Sequence, residues 1–179
     1  MLQRESTLVL IVDVQERITG VMHERARLLE QLEKLIRGAD VLDLPILLTE
    51  QYPEGLGETI KEIREVLPQY DPVVKNTFSC CDDPGFEDRL RNTGRENVLL
   101  AGIEAHVCVY QTAAQLLEMG YHVEVIADAV DSRSPFDRKI ALKKMQTLGA
   151  LLSTTEMALF ELQQVASGDR FKAISHIIK

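Results

Sequence analysis

The chain has 179 residues, of which 45% are hydrophobic and 27% are charged, and its formal net charge is −8. This composition is typical of a soluble globular protein, and we expect one domain that spans residues 1–179. The acidic charge disfavours nucleic acid and anionic membranes as partners, and no apolar run reaches the roughly 18 residues that a membrane-spanning helix needs.

In the first half of the chain, strand patterns alternate with helix patterns. Thr7–Val12 is a continuous apolar run, which is typical of a strand buried on both faces. Apolar residues at spacings of three and four over 28–39 predict a helix. A second strand is predicted at Pro45–Thr49, a second helix over 60–67, and a short extended piece at Pro72–Lys75.

The second half of the chain repeats this alternation. Asn97–Ile103 predicts a fourth strand, and His106–Met119 predicts the helix that follows it. A fifth strand at Tyr121–Ala127 precedes a helix over Pro135–Leu148, and a sixth strand is predicted at Ala150–Ser153. Another helix and a short apolar tail complete the pattern.

About six alternations of strand and helix predict an α/β fold. We expect a three-layer α/β/α, Rossmann-like domain with a six-stranded parallel sheet and right-handed crossovers. Such sheets bind their ligands outside the carboxyl ends of the strands. The residues that directly follow each predicted strand are therefore the candidates for the functional site.

Three reactive side chains from different strands meet at this predicted edge. They are Asp13 after the first strand, Lys75 near the third, and Cys108 after the fourth. Each has a simpler explanation: Asp13 could cap a helix, Lys75 could be a solvated surface lysine, and Cys108 could be a small buried hydrophobe. A carboxylate, an ammonium and a thiol at one edge favour the catalytic interpretation.

The local environment of Cys108 suggests a nucleophile. It lies in the first turn of a predicted helix, where the helix dipole favours the thiolate, and the charge of Lys75 would act in the same direction. We therefore expect a lowered pKa for this thiol. Asp13 could carry the proton to a leaving group, and the backbone N–H groups of Glu104 and Cys108 could bind an oxyanion.

Three segments resemble the isochorismatase-like cysteine hydrolase family. They are L-I-V-D-V-Q at 10–15, P-V-V-K-N-T-F-S at 72–79 and G-I-E-A-H-V-C-V at 102–109, and they occur in the family's order. T-E-Q-Y-P-E-G-L-G at 49–57 is similar to the branch of isochorismatase domain-containing proteins. The resemblance covers nearly the whole chain.

This resemblance implies a catalytic triad of Asp13, Lys75 and Cys108. It also implies a non-proline cis peptide at Ile103–Glu104, which would aim the Glu104 N–H into the oxyanion hole. Nicotinamidases of the family hold a metal with an aspartate and two histidines after the second strand. Here Glu50-Gln51-Tyr52 follow that strand, so we expect neither a metal nor another cofactor.

The expected activity is hydrolysis of a small amide or related acyl compound through a thioester on Cys108. The alternatives are hydrolysis of a vinyl ether, as in isochorismatase itself, and a catalytically weak binding or scaffold protein with the same fold. True isochorismatases lack the nucleophilic cysteine. Its presence in this chain favours attack on a carbonyl carbon. The candidate contacts to a small-molecule substrate are Gln15, Gln51, Tyr52, Phe78 and His106.

Other residues allow two interpretations each. Asp128 and Arg133 could bind substrate or form internal ion pairs. The apolar tail residues Phe171, Ile174 and Ile178 could contact another subunit or pack on the chain's own helices. The family resemblance implies a homo-oligomer. The three cysteines, two of them adjacent, do not form a disulfide framework, and together with the absence of a signal-peptide pattern they predict a cytoplasmic protein.

Overall fold

The computed structural model describes residues 1–179 and contains a sheet of six parallel strands. In chain order the strands are β1 (Thr7–Val12), β2 (Ile46–Gln51), β3 (Val73–Lys75), β4 (Asn97–Ile103), β5 (His122–Asp131) and β6 (Leu151–Ser153). Their order across the sheet is β3-β2-β1-β4-β5-β6. The predicted six-stranded parallel sheet is confirmed. The strand order reverses between β1 and β4, and such sheets bind ligands at this kind of position.

Helices cover both faces of the sheet. They are α1 (Glu16–Thr19), α2 (Arg25–Val41), α3 (Pro53–Leu56), α4 (Lys61–Arg64), α5 (Pro84–Asn92), α6 (Tyr110–Glu118), α7 (Pro135–Leu148), α8 (Thr155–Gln163) and α9 (Gly168–Ile178). One hydrophobic core lies between the sheet and α2, α8 and α9. A second core lies between the opposite face and α5, α6 and α7. The three-layer arrangement predicted from the sequence is therefore confirmed.

β1 connects the two cores, and all six of its residues are buried. Val9 and Ile11 belong to the core beneath α2, whereas Leu8, Leu10 and Val12 belong to the core on the other face. Successive side chains of a strand point to opposite faces, so a strand in the middle layer must be apolar throughout. Each of these buried aliphatic side chains contributes about 1.5–3 kcal/mol relative to exposure.

The two central strands approach each other closely near their carboxyl ends. Val12 of β1 pairs with Gly102 of β4. Gly102 has a φ of +114°, and a Cβ atom at this position would overlap the backbone of Val12. A glycine is therefore required at this position, just before the residues that follow the two strands.

The structure differs from the sequence prediction at several element ends. β2 continues to Gln51 rather than ending at Thr49, so Glu50 and Gln51 lie in the strand and not after it. β5 continues to Asp131 rather than ending near Ala127, and its pairing with β4 has an irregularity between Leu100 and Gly102. The Arg138 side chain stabilises this extension, because its guanidinium donates to the carbonyl oxygens of Val130 and Ala127. The helix predicted over 60–67 is only the single turn α4.

The C-terminal tail packs on the protein's own helices. Ile174 is fully buried in the core beneath α2. The Phe171 ring lies 6.3 Å from the Phe160 ring of α8, measured between centroids. Of the two interpretations open for the tail, the structure shows the internal one, so the tail gives no independent support for an oligomer. None of the helices combines the length and the apolar character needed to cross a membrane.

Candidate active site

The carboxylate of Asp13 lies at the carboxyl end of β1. The residue has a φ of +51°, so the chain turns away from the strand at this point. Its Oδ2 is 2.7 Å from Nζ of Lys75, and its Oδ1 accepts a hydrogen bond of 2.7 Å from Oγ1 of Thr49. The side chains of Asp13 and Lys75 are only 2% and 0% exposed, so water does not screen this ion pair.

Lys75 is the last residue of β3 and donates to three acceptors. Besides Asp13, its Nζ donates to the carbonyl oxygens of Thr77 at 3.0 Å and Phe78 at 3.3 Å. Burial by itself would lower the pKa of Lys75, but the charge of Asp13 raises it above the ordinary value. The ammonium is therefore charged and fixed, and it is not available as a base.

Cys108 lies in a π-helical turn, Ala105–Val109, that leads into α6. It is 5% exposed, and its Sγ is 3.2 Å from Oε1 of Gln51. Burial and the negative charge of Asp13 raise the pKa of this thiol, and the Lys75 charge only partly offsets them. The expected lowering of the Cys108 pKa is thus wrong, because Lys75 is already neutralised by Asp13 and the thiol is out of water.

Gln15 holds Gln51 in place. Its Nε2 donates to the carbonyl oxygens of Gln51 at 3.0 Å and Gly57 at 2.6 Å, while its Oε1 accepts from the Gln51 N–H at 2.8 Å. Gln15 is completely buried. All of these hydrogen bonds of its side-chain amide are made to backbone groups. Gln15 therefore suits a role in positioning Gln51 better than the substrate contact predicted from the sequence.

The turn between β4 and the π-helical turn carries Glu104. The Ile103–Glu104 peptide bond is cis. The Glu104 carboxylate accepts from the backbone N–H of Arg133 at 3.0 Å and from its guanidinium at 2.8 Å. Burial would raise the pKa of Glu104, but the hydrogen bonds and charge of Arg133 hold it below its ordinary value. Arg133 is therefore an ion-pair residue.

Tyr52, Phe78 and His106 lie on the segments around this cluster. Tyr52 and Phe78 are 55% and 54% exposed. Tyr52 directly follows Gln51, which contacts Cys108, and the carbonyl oxygen of Phe78 accepts a hydrogen bond from Lys75. His106 is held by its Nδ1, which lies 2.9 Å from Oγ of Ser132. Their segments place the three residues near the cluster, and no hydrogen bond joins their side chains to Asp13, Lys75 or Cys108.

Glu50 and Asp128 have structural partners. Glu50 accepts from the backbone and hydroxyl of Thr59 at 2.6 and 2.7 Å, and from the Tyr70 hydroxyl at 2.6 Å. Asp128 accepts from the N–H of Thr155 at 2.9 Å, at the start of α8. The Glu50 carboxylate near the end of β2 is therefore already engaged by hydroxyl and N–H donors.

Sequence reasoning missed Thr49 as a part of this cluster. Besides donating to Asp13, its hydroxyl oxygen lies 3.8 Å from Sγ of Cys80. Burial raises the pKa of Cys80 to about 11 and that of Cys81 to about 12. The sequence contained one signal for the role of Thr49: it is a polar residue that directly follows the apolar Ile46–Leu48 in a buried strand.

Known proteins resemble this chain over most of its length. The isochorismatase domain family model matches residues 7–157. Isochorismatase domain-containing protein 2A of Mus musculus is 39% identical over 176 residues, which are 98% of this chain and 84% of the mouse protein. The MAR1 ribonuclease structure from Caenorhabditis elegans has a TM-score of 0.92 at 38% identity, covering 99% and 91% of the two chains.

A more distant structure shows the same fold. YcaC from Pseudomonas aeruginosa, solved with hexane-2,5-diol and covalent acrylamide, has a TM-score of 0.92 at 25% identity. The superposition covers 98% of this chain and 90% of that one. The family match and these relatives extend over the strands that carry Asp13, Lys75 and Cys108. The chain therefore belongs to the isochorismatase-like hydrolase family, on the branch of the isochorismatase domain-containing proteins.

Proposed function

We propose that this protein is a cysteine hydrolase that cleaves a small amide or a related acyl compound. Cys108 is the nucleophile, Asp13 transfers protons, and Lys75 holds Asp13 in position. The observation that carries the proposal is the buried Asp13 carboxylate, which is fixed by Lys75 and Thr49 and whose charge acts on the Cys108 thiol. A buried carboxylate beside a buried thiol is expected to serve as its base.

The raised pKa of Cys108 determines the first step. At rest the sulfur is a neutral thiol, so its proton passes to Asp13 while Sγ attacks the carbonyl carbon. The carbonyl electrons move to oxygen and form a tetrahedral oxyanion. Asp13 then gives the proton to the leaving nitrogen, the C–N bond breaks, and ammonia or an amine leaves behind a thioester on Cys108.

Water completes the reaction. Asp13 accepts a proton from a water molecule that attacks the thioester, and the proton returns to Sγ as the acid leaves. The backbone N–H groups of Glu104 and Cys108 stabilise both oxyanions, in a role that typically lowers the barrier by about 3–4 kcal/mol per donor. Every proton is carried by Asp13, so the scheme assigns no step to a metal or cofactor.

The residues around the triad bind the substrate in this proposal. Gln51 contacts Sγ of Cys108 directly and therefore meets the reacting group of any substrate. Tyr52 and Phe78 are exposed, the His106 ring is held by Ser132, and we assign all three as further substrate contacts. Gln15 acts indirectly, because its hydrogen bonds hold the backbone of Gln51 in position.

A screen of small amides with ammonia release as its readout tests the proposal. We expect turnover of at least one amide, loss of activity in Cys108→Ala and Asp13→Asn, and an acyl adduct on Cys108 by mass spectrometry. Cys81→Ala is the matched control and should keep activity. Activity in Cys108→Ala would contradict the thioester mechanism and favour hydrolysis of a vinyl ether, whereas no adduct from any acyl compound would favour a scaffold.

The name of the C. elegans neighbour suggests a second candidate, RNA cleavage. The net charge of −8 opposes binding to a phosphate backbone. We therefore expect that RNA incubated with the protein stays intact under conditions in which the amide screen shows turnover. Degradation that is lost in Cys108→Ala would assign the nuclease activity to the same site.

We propose further that residues 1–179 act as one domain, that the protein forms a homo-oligomer, and that it works in a reducing, cytoplasmic setting. The two cores share the same sheet, which supports one domain. All three cysteines carry free thiols, which supports the reducing setting. Light scattering tests the oligomer, and a monomer at micromolar concentration would contradict it.

A further inference from the structure

A cleft lies at the amino ends of β4, β5 and β6, at the end of the sheet opposite to that of Cys108. Its volume is about 460 Å³, which falls within the range of small-molecule pockets. It is lined by the first residues of these strands, by α8 and by Met1 and Leu2. Because β4 runs for 7 residues between the two ends, about 20 Å separates the cleft from the candidate active site.

A buried carboxylate, that of Glu124, faces this cleft. Glu124 is 8% exposed, and it shares the α8-facing side of β5 with Ile126. It takes part in none of the ion pairs of the chain. Burial raises the pKa of Glu124 above its ordinary value, and the Ser153 hydroxyl only partly offsets this effect. The negative charge of Glu161 raises the pKa further, and the amino group of Met1 lowers it. The carboxylate therefore lacks the paired cation that a buried charge normally requires.

A second carboxylate and two apolar side chains complete the cleft. Glu161 accepts a 2.7 Å hydrogen bond from the backbone N–H of Leu2, and it has no cationic partner either. Met157 precedes Glu161 by one turn of α8, and residues at this spacing lie on the same face of a helix. Met157 and Leu151 line the cleft and are 59% and 66% exposed. Two carboxylates without a cation thus lie beside exposed apolar walls.

From the buried carboxylate and the apolar walls we propose that this cleft binds an organic ammonium ion that carries an apolar group. The ammonium pairs with Glu124 and Glu161, and the apolar group packs against Leu151 and Met157. Ca²⁺ and Mg²⁺ match the cleft less well, because they take about six or more oxygen ligands and most of the lining is apolar. The net charge of −8 attracts a cation at longer range. The proposal goes beyond the cysteine hydrolase function and shares no residue with it.

Isothermal titration of the protein with 2-phenylethylammonium tests the proposal. This amine is protonated at neutral pH, and 2-phenylethanol is the matched neutral ligand because it carries the same apolar group. We expect the ammonium to bind at least about tenfold more tightly than the alcohol, which is typical of a charge-assisted contact with a carboxylate. Equal affinities would overturn the proposal, because the charge of the ligand would not be recognised.

The variant Glu124→Gln isolates the contribution of the buried carboxylate. It keeps the size of the side chain, and removal of an unpaired buried charge should not destabilise the fold. We expect the affinity ratio of ammonium to alcohol to fall about tenfold. The matched control is Glu156→Gln, which removes the same charge from an exposed residue next to Met157 on α8 and should change the ratio less than about twofold. Met157→Ser should weaken both ligands about threefold, because both lose the same apolar contact.

Three further results would overturn the proposal. An affinity ratio that is unchanged in Glu124→Gln would show that the buried carboxylate does not bind the ligand. Protection of Cys108 from iodoacetamide that persists in Glu124→Gln would place the ligand in the active site. A changed molecular mass of Glu124→Gln in light scattering would make the cleft a contact between two copies of the chain. None of these results bears on Cys108 as the nucleophile, which the amide screen tests separately.

Discussion

Replacing Lys75 by methionine removes the cation from the buried ion pair and keeps a side chain of similar length. The Asp13 carboxylate then keeps only the Thr49 hydrogen bond, at a position where its side chain is 2% exposed. Breaking a buried pair in this way typically costs about 3–5 kcal/mol. The carbonyl oxygens of Thr77 and Phe78 also lose their donor, which adds about 1 kcal/mol for each lost hydrogen bond.

The double variant Lys75→Met/Asp13→Asn separates these two contributions. It removes the unpaired charge, so most of the cost of 3–5 kcal/mol should be recovered, and a residual of about 1–2 kcal/mol from the two carbonyl groups should remain. Urea denaturation at neutral pH measures the free energy of unfolding of each variant. The matched control is Lys61→Met, since Lys61 pairs with Glu65 on the surface and should contribute less than about 1 kcal/mol.

Two results would refute this reasoning. A loss below about 1 kcal/mol in Lys75→Met would mean that the carboxylate is not left unpaired by the substitution. A double variant that is no more stable than Lys75→Met would mean that the cost does not come from the Asp13 charge. In either case Lys75 could not be the residue that fixes the proposed base.

Three further outcomes are expected. Thr49→Val should lower kcat at least about tenfold with little change in KM, because Asp13 loses one of its two anchoring donors; unchanged kinetics would remove Thr49 from the site. The alkylation rate of Cys108 should still rise with pH above 9, because its pKa is raised, and a plateau near pH 7 would contradict that direction. Ile174→Ala should lower the free energy of unfolding by about 2–5 kcal/mol in urea denaturation, and a neutral effect would show that α9 does not belong to the core.

Much of the fold was predictable because one physical constraint acts on each strand. A strand between two helical layers must be apolar on both faces, and Thr7–Val12 and Asn97–Ile103 show this directly. The full length of β5 was not predictable from this rule. Its last residues include Asp128 and Asp131, which look like loop residues until the hydrogen bonds from Arg138 are known.

The residues of the candidate site followed from topology, but their contacts did not. The rule that ligands bind at the carboxyl ends of parallel strands places Asp13, Lys75 and Cys108 at one edge. The raised pKa of Cys108 depends on how deeply the thiol is buried and on Lys75 being paired already, and neither follows from a pattern of residues. The contact between Gln51 and Cys108 joins residues 57 positions apart and requires the folded chain.

The pairing of β1 with β4 also links catalysis to the assembly of the sheet. The proposed base and its cation lie within the first 75 residues, whereas the nucleophile follows β4, so neither half of the chain contains a complete site. The halves meet where Val12 pairs with Gly102, without a side chain between the two backbones. Hydrolysis by the proposed mechanism therefore requires the folded sheet, because the Cys108 thiol meets its proposed base only when the two halves of the sheet have joined.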